Sequence, residues 1–261
     1  MHASLLDVYQ PRESLIHRLD PRVKILAVVF FILTAVSLPE GAWFSLGILL
    51  AMLILISWRA QLGIFFTVRR AFIALPFALA ALPLPFLTPG PALWVGPGLG
   101  WTVTTIGVIR FLTIVVRTWV AVQAGVLLSA TTDIADLLWG LKEIRVPQLI
   151  VSIVGFMVRY LFVLADELLR MLRARASRSP KLPGVRRPGI VWQGRAAGML
   201  VGSLFLRSLE RSERVHAAML SRGYDGKMRV LEQPAMVIFD WAALLIVLSS
   251  LALVLGLGLG S

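Results

Sequence analysis

Long apolar runs separated by short polar stretches are the main feature of the chain. Four such runs lie within the first 129 residues, and a fifth lies near the C-terminal end. Apolar runs of this kind are typical of helices that cross a lipid bilayer. We predict the spans Ile25–Leu38, Trp43–Ile56, Phe72–Leu87, Thr105–Leu128 and Val237–Leu259.

The start of the first span carries its own helix signal. Asp20 is a good N-cap residue and Pro21 a good first helical residue. Arg22 and Lys24 follow at the depth where lipid headgroups are expected. The first 20 residues are polar and contain no apolar stretch of the kind found in a cleavable signal peptide. We therefore expect this first span to be retained.

The distribution of basic residues predicts the orientation. Lysine and arginine concentrate before the first span, between the second and third, and after residue 165. The positive-inside rule then places the N-terminus in the cytoplasm. The segment Pro147–Leu164 is apolar enough to cross, but a crossing would put the following arginines outside. We favour a helix that lies in or dips into the interface, and a sixth span stays open as the alternative.

Three cytoplasmic helices are predicted between residues 130 and 233. They are Ile134–Lys142, Gln148–Arg175 (directly after Pro147) and Gly194–Arg222, with the Pro- and Gly-rich linker Ser177–Pro188 between the last two. The chain then divides into a cytoplasmic segment 1–22, a four-helix membrane region 23–129, the cytoplasmic region 130–233 and the final span 237–259. The predicted fold class is an all-α polytopic membrane protein with about five spans.

Composition supports this class. The chain is 58% hydrophobic and 15% charged, whereas soluble domains contain about a quarter charged residues. The net charge of +12 follows from the positive-inside rule, so we expect no nucleic-acid partner. The absence of cysteine excludes disulfides, thiolate metal sites and cysteine nucleophiles. His2, His17 and His216 are far apart in sequence, and we expect no metal site.

A short motif, an arginine between two small residues, occurs twice in the basic region. The copies are Ala174-Arg175-Ala176 and Ser221-Arg222-Gly223, 47 residues apart, each at the end of an apolar helical stripe. A guanidinium fork suits a bidentate carboxylate, and small neighbours allow a partner backbone to approach. Basic helix ends also complement the helix dipole, and Gly223 is an ordinary C-cap residue. The repetition favours paired docking over this second interpretation.

Charged residues inside the predicted spans have competing interpretations. Arg110 and Arg117 lie on one face of the fourth span and could contact another subunit or a partner acid, or could extend to the headgroups. Asp133 and Asp136 fit the cap and first turn of the short helix. A self-sufficient secondary transporter would need acids within the membrane, and we expect none in the predicted spans.

The order of these features resembles the transmembrane coupling subunits, or T components, of energy-coupling factor (ECF) transporters. The resemblance covers nearly the whole chain. It rests on Asp20-Pro21-Arg22-Val23-Lys24 before the first span, Thr131-Thr132 opening a leucine-patterned short helix ahead of Pro147, the two arginine motifs, and the closing span. The stretch 219–226 is most similar to the cobalt and nickel branch.

The resemblance implies a non-catalytic coupling subunit in the plasma membrane, with two long, crossing cytoplasmic helices. Arg175 and Arg222 would dock on two ATPase subunits, and a separate integral membrane subunit would bind the substrate. The family pattern is Ala-Arg-Gly, from which this chain departs at Ala176 and Ser221. No cofactor is expected in this chain, because ATP would be bound by the partner subunits.

The implied substrate is cobalt, with nickel or a vitamin as alternatives. A self-sufficient membrane transporter is a less favoured function. A membrane-embedded enzyme acting on lipids is a further rival, and it would need clustered acids or histidines at the membrane edge. The sequence offers only the pairs Asp166-Glu167 and Asp133/Asp136 for that role.

Overall fold

The computed structural model describes residues 9–12, 14–95, 102–178, 189–226 and 236–260. Nearly all regular structure in these ranges is helical, which confirms the predicted all-α class. The described residues form two compact units. One, the helical pair, comprises those from Arg145 to Gly226, and the other, the membrane unit, comprises the remainder.

The membrane unit is built around four helices that close on one apolar core. They are α2 (Pro21–Ser37), α3 (Trp43–Arg59), α7 (Thr105–Thr131) and α11 (Ile238–Leu259), with the short helices α1 (Leu15–Arg18) and α8 (Ile134–Glu143) beside them. Helix α2 packs against α7, α8 and α11. Leu46, Leu49, Val120 and Val254 are buried between these helices. The core therefore joins helices from both ends of the sequence.

Sequence signals predicted the starts of several helices well. Asp20 is the N-cap of α2, and its side chain accepts a hydrogen bond from the Arg22 amide at 2.8 Å, with Pro21 as the first helical residue. Asp133 is likewise the N-cap of α8, with Asp136 in its first turn. Helix α11 begins one residue after the predicted start of the last span.

The predicted third span is not one continuous helix. The chain there forms α4 (Ile64–Ala71), a 3₁₀ turn (Phe72–Ala74), α5 (Leu75–Ala78), a second 3₁₀ turn (Leu79–Ala81) and α6 (Leu84–Leu87). Prolines 76, 83 and 85 lack the amide donor that a helix interior needs and clash with the preceding turn. The segments Phe65–Ala74 and Leu79–Leu87 consequently meet at an angle of 47°.

Two short strands lie between the third and fourth predicted spans. Strand β1 (Ala92–Val95) pairs with β2 (Thr102–Thr104) in an antiparallel arrangement, with Val95 opposite Thr102 and an irregular register near Ala92. The all-α prediction did not include β1, where leucine, tryptophan and valine follow each other and favour an extended backbone. Residues 96–101 lie outside the described part of the chain.

Helix length bears on the number of spans. Helices α7 and α11, and α9 (Gln148–Arg178) of the helical pair, are long and apolar enough to cross a membrane, and the bent segment would add one crossing. Helices α2 and α3 have 17 residues each, the lower end of the range of about 17–25 that spans the hydrocarbon core. The count of five spans, and the interfacial position of 147–164, stay predictions.

The helical pair consists of α9 and α10 (Ile190–Ser221). Helix α9 starts directly after Pro147, as predicted, and the Pro147 carbonyl accepts from the Ile150 amide at 3.0 Å. It continues three residues beyond the predicted end, whereas α10 starts four residues earlier than predicted. Residues 179–188, most of the predicted linker, lie outside the described residues.

Hydrogen bonds at the two ends of the membrane unit define the directions of its helices. At one end, the Asp240 carboxylate of α11 accepts from the Asp20 amide at the start of α2 at 3.1 Å. At the other end, Arg117 of α7 donates to the carbonyl of Leu38 and, at 3.1 Å, to that of Pro39. Helices α2 and α11 therefore run in the same direction, as the predicted topology requires.

The two arginines of the fourth predicted span thus have partners within this chain. Arg110 Nε lies 2.8 Å from Glu40 Oε2, and Arg117 holds the carbonyls that end α2. Both contacts attach the turn after α2 to the first half of α7. This favours a structural role over a contact with another subunit.

The positions of the helix ends in the membrane unit lead to a labelling prediction. Glu40 and Asp136 belong to opposite ends of the membrane unit, so in a chain with a cytoplasmic N-terminus only Glu40→Cys should react with an impermeant maleimide on intact cells. Asp136→Cys should react after lysis. The cysteine-free natural chain is the background control, and reaction of both variants from one side would contradict the arrangement.

A second prediction concerns two glycines of α7. A Cβ at Gly107 would lie 2.6 Å from the Leu84 carbonyl oxygen and 2.7 Å from Pro85 Cα, whereas a Cβ at Gly125 would meet nothing within 4 Å. We expect Gly107→Ala to destabilise the purified protein by about 1–3 kcal/mol, because backbone atoms must move. Gly125→Ala should be neutral or stabilising by up to about 1 kcal/mol. Thermal unfolding in detergent measures both, and equal melting temperatures would contradict the packing.

Candidate functional site

The segment Asp20–Lys24 is the meeting point of several helices of the membrane unit. Lys24 is buried, and its Nζ donates to the carbonyl of His17 at 3.0 Å and to that of Thr131 at 3.1 Å. Thr131 is the last residue of α7. One lysine therefore joins the polar segment before α2 to the end of a helix 107 residues away.

Arg22 connects the same segment to α8. Its guanidinium lies over the Trp139 ring at 4.4 Å, and its Nη2 is 3.6 Å from Glu143 Oε2. Gly140 permits the close approach, because a Cβ there would lie 3.2 Å from Pro21 Cβ. The short helix is thus held on the start of α2 by an aromatic contact, an ion pair and tight packing.

The structure brings together most of the residues predicted as the structural motif. Asp20, Pro21, Arg22, Lys24 and Thr131 form one contact group, whereas Pro147 belongs to the helical pair. Thr132 is the buried C-cap residue of α7. The prediction that Thr131-Thr132 opens the short helix is therefore wrong: the two threonines end α7, and Asp133 supplies the cap.

Asp240 is a member of this group that the sequence analysis missed. It lies in the first turn of α11 and is only 7% exposed. Its Oδ2 accepts from the Val237 amide at 3.0 Å, and its Oδ1 accepts from the Asp20 amide. The expectation of no acid within the predicted spans is thus wrong. An acid three residues after a helix start is a recognisable capping signal.

His17 lies at the edge of this group in a defined protonation state. Its Nε2 is 3.1 Å from the Gln10 carbonyl oxygen and its Nδ1 is 2.7 Å from Ser14 Oγ. The carbonyl can only accept, so Nε2 carries the proton and Nδ1 accepts from the hydroxyl. Burial and the nearby positive charge of Lys24 lower the pKa of His17. The imidazole is therefore a neutral structural group at pH 7.

A charged contact connects the two helices of the helical pair. Glu167 of α9 accepts from Arg170 of the same helix and, at 3.0 Å, from Arg207 of α10. These hydrogen bonds lower the pKa of Glu167. Both arginines are exposed, so water screens the pair and it orients the helices more than it stabilises them.

An apolar cleft of about 470 Å³ lies between α9 and α10. Its walls include Met157 and Tyr160 from α9 and Val215 and Met219 from α10. Tyr224, two residues after Arg222, and His216 also line it. The apolar stripes predicted for the two helices therefore face each other only in part.

The first arginine motif lies within a helix. Arg175 is half-buried, and its guanidinium is 5.2 Å from the centre of the Trp192 ring of α10. Ala174 and Ala176 are exposed, and α9 continues to Arg178. Small residues at 174 and 176 therefore leave the backbone beside Arg175 open to a partner.

The second motif forms the end of a helix. Arg222 is the exposed C-cap residue of α10, and Gly223 has a φ of +78°. The Gly223 amide donates to the Leu220 carbonyl and the Tyr224 amide to that of Met219, both at 3.0 Å. This pair of bonds is a Schellman cap. The two motifs share an arginine near the C-terminal end of a long helix but not a backbone conformation.

Fold and site define a class: an all-α membrane protein with several apolar helices and a separate pair of long, arginine-bearing helices. Residues 12–233 match the CbiQ family, described as cobalt transport protein. The chain belongs to this family, the transmembrane T components of ECF transporters. The match confirms the resemblance noted in the sequence.

Individual relatives agree with this assignment. The chain is similar to the energy-coupling factor transporter transmembrane protein EcfT of Acidaminococcus fermentans, with 31% identity over 85% of this chain and 83% of the relative. It is also similar to the EcfT protein of Lactobacillus helveticus, at 26% over 88% and 86%. The cobalt transport protein CbiQ of Rhodobacter capsulatus is 33% identical over 64% of this chain and 67% of its own length.

The cap geometry predicts the effect of a single methyl group. An alanine at position 223 would hold the left-handed conformation at a cost of roughly 1–2 kcal/mol. We expect Gly223→Ala to loosen the end of α10 and to speed amide hydrogen exchange around Tyr224 about fivefold or more. Gly198→Ala, in the same helix with nothing within 4 Å of the new Cβ, is the control. Equal exchange in the two variants would contradict the Schellman cap.

Proposed function

We propose that this chain is the coupling subunit of an ATP-driven ECF importer, and that Arg175 and Arg222 are its contacts with two ATPase subunits. The observation that supports this proposal is the helical pair: a unit separate from the membrane unit, in which each long helix presents an arginine near its C-terminal end. Membership of the T-component family supports the same role.

The chemistry at each end suits a charged docking contact. A guanidinium beside an open backbone can form two parallel hydrogen bonds with a partner carboxylate. Trp192 lies against Arg175 and limits its rotation, so less side-chain freedom is lost on binding. Arg222 is held at a capped helix end, where the chain direction is set by Gly223. The side chain at the first motif and the backbone at the second are therefore ordered before a partner binds.

The proposed cycle needs ATP only in the partner subunits. Closure of the ATPase pair would draw the two arginines together and move α9 against α10. The exposed Glu167–Arg207 pair and the partly open cleft between the helices offer little resistance to such movement. The motion would pass to an integral membrane subunit that binds the substrate, with the N-terminus of this chain on the cytoplasmic side.

Cobalt is the proposed substrate of the complete importer. Support comes from the description of the matching family and from the Rhodobacter capsulatus relative, which is named a cobalt transport protein. Other relatives are named only as energy-coupling factor transporter transmembrane proteins, a name that specifies no substrate, so nickel and vitamins stay the alternatives. Uptake of labelled cobalt, nickel and vitamins by cells that express the complete complex distinguishes these substrates.

Charge reversal at the two arginines tests the coupling role. Reversal leaves the partner carboxylates unpaired and repelled, so Arg175→Glu or Arg222→Glu should weaken co-purification of the ATPase subunits about tenfold or more. Uptake should fall with it. The variants should still insert in the membrane, because both side chains lie at the surface of the helical pair.

Matched controls lie on the same helices. Arg173→Glu and Arg214→Glu make the same change of charge at exposed positions outside the two motifs, and both should assemble normally. Normal assembly and uptake in the Arg175→Glu, Arg222→Glu double variant would rule out the proposed docking. Loss of assembly in all four single variants would indicate a general effect of net charge instead.

A further inference from the structure

We infer that Asp240 is a positioning residue for coupling: its carboxylate clamps the start of the last membrane helix to the start of the first. This inference rests on the proposed function. It concerns a different part of the chain from the arginine motifs, because Asp240 belongs to the membrane unit and not to the helical pair.

The clamp consists of one carboxylate that lies between the starts of two helices. Oδ2 accepts the Val237 amide at 3.0 Å, and Oδ1 accepts the Asp20 amide at 3.1 Å. Asp20 and Asp240 are each 7% exposed. The first amides of a helix have no partner within it, so each must be satisfied by another group.

Only an ionised acid satisfies both amides at once. Each carboxylate oxygen accepts one N–H, and the negative charge is favourable beside two helix N-termini. An asparagine has a single acceptor oxygen, and its amide nitrogen would face one of the two N–H groups. The site therefore distinguishes aspartate from its closest isostere.

The position of the clamp in the chain links it to coupling. The helical pair is inserted between α8 and α11, so the chain leaves the membrane unit after α8 and returns to it at α11. Arg22 holds α8, and Asp240 attaches α11 to Asp20. Both attachments therefore converge on the segment Asp20–Lys24.

This convergence has a mechanical consequence. Force on either end of the inserted helical pair reaches the membrane unit at the same five residues. With the clamp intact, α2, α8 and α11 move as one body. Without it, the start of α11 can shift against the start of α2, and part of the movement of the helical pair is lost at that point.

The test compares transport with ATP hydrolysis in the complete complex. In Asp240→Asn the arginine motifs are unchanged, so the ATPase subunits should co-purify and hydrolyse ATP at no less than about half the natural rate. Uptake of labelled Co²⁺, or of the ion or vitamin that the natural complex imports, should fall about tenfold, because coupling contacts of this kind are worth about 1.4 kcal/mol or more. The ratio of uptake to hydrolysis is the readout.

Two further variants make the result specific. Asp240→Glu keeps both acceptor oxygens on a stem one methylene longer, and its ratio should lie between those of the natural chain and Asp240→Asn. Glu40→Gln removes a carboxylate at the other end of α2, where it forms an exposed ion pair with Arg110, and should leave the ratio unchanged. A general effect of lost negative charge would lower the ratio in both Glu40→Gln and Asp240→Asn.

Each outcome decides the inference. A natural ratio in both Asp240 variants overturns it, and so does loss of ATPase binding in both, which would show a general structural role. If Asp240→Asn fails to accumulate, the ratio of Asp240→Glu decides: a reduced ratio supports the clamp and an unchanged one overturns it. Failure of the natural chain to bind ATPase subunits would refute the proposed function itself, whatever the Asp240 variants do.

Discussion

Helix ends at the edge of a bilayer need partners for their unpaired amides and carbonyls, and this requirement organises the membrane unit. Lys24 and Asp240, which meet these helix ends, are buried in the protein, and unsatisfied backbone groups beside them would be costly. The Asp240 carboxylate accepts from amides at the starts of α2 and α11. Lys24 donates to the carbonyl that ends α7, and Arg117 donates to the carbonyls that end α2. These charged side chains thereby set which helix ends lie together and in which direction each helix runs.

The interface of the helical pair differs from the core of the membrane unit. Its interface contains an exposed ion network around Glu167 and an open apolar cleft, in place of a closed core. A pair held in this way can change its crossing geometry at little cost, while the membrane unit, with Leu49 and Val120 fully buried, resists deformation. This difference between the interiors of the two units suits the proposed coupling role.

Much of the site was predictable because its signals are local. Asp20 and Pro21 are residue types that favour a helix start. Arg175 and Arg222 were identified from the small residues on either side of each. Gly223 indicated the helix end at the second motif, whereas no neighbouring residue showed that α9 continues past the first motif to Arg178. The broken segment at residues 64–87 was missed for a related reason: apolar composition predicts a span, while prolines decide whether it is continuous.

Hydropathy, capping and charge are properties of neighbouring residues, so the positions of the main helices, the division into apolar and basic regions and the two arginine motifs could be predicted. The partners of Lys24, Arg117 and Asp240 could not. Their contacts join residues 107, 79 and 220 positions apart. Such hydrogen bonds depend on how whole helices pack, and no local pattern records which distant amide or carbonyl a buried charge will meet.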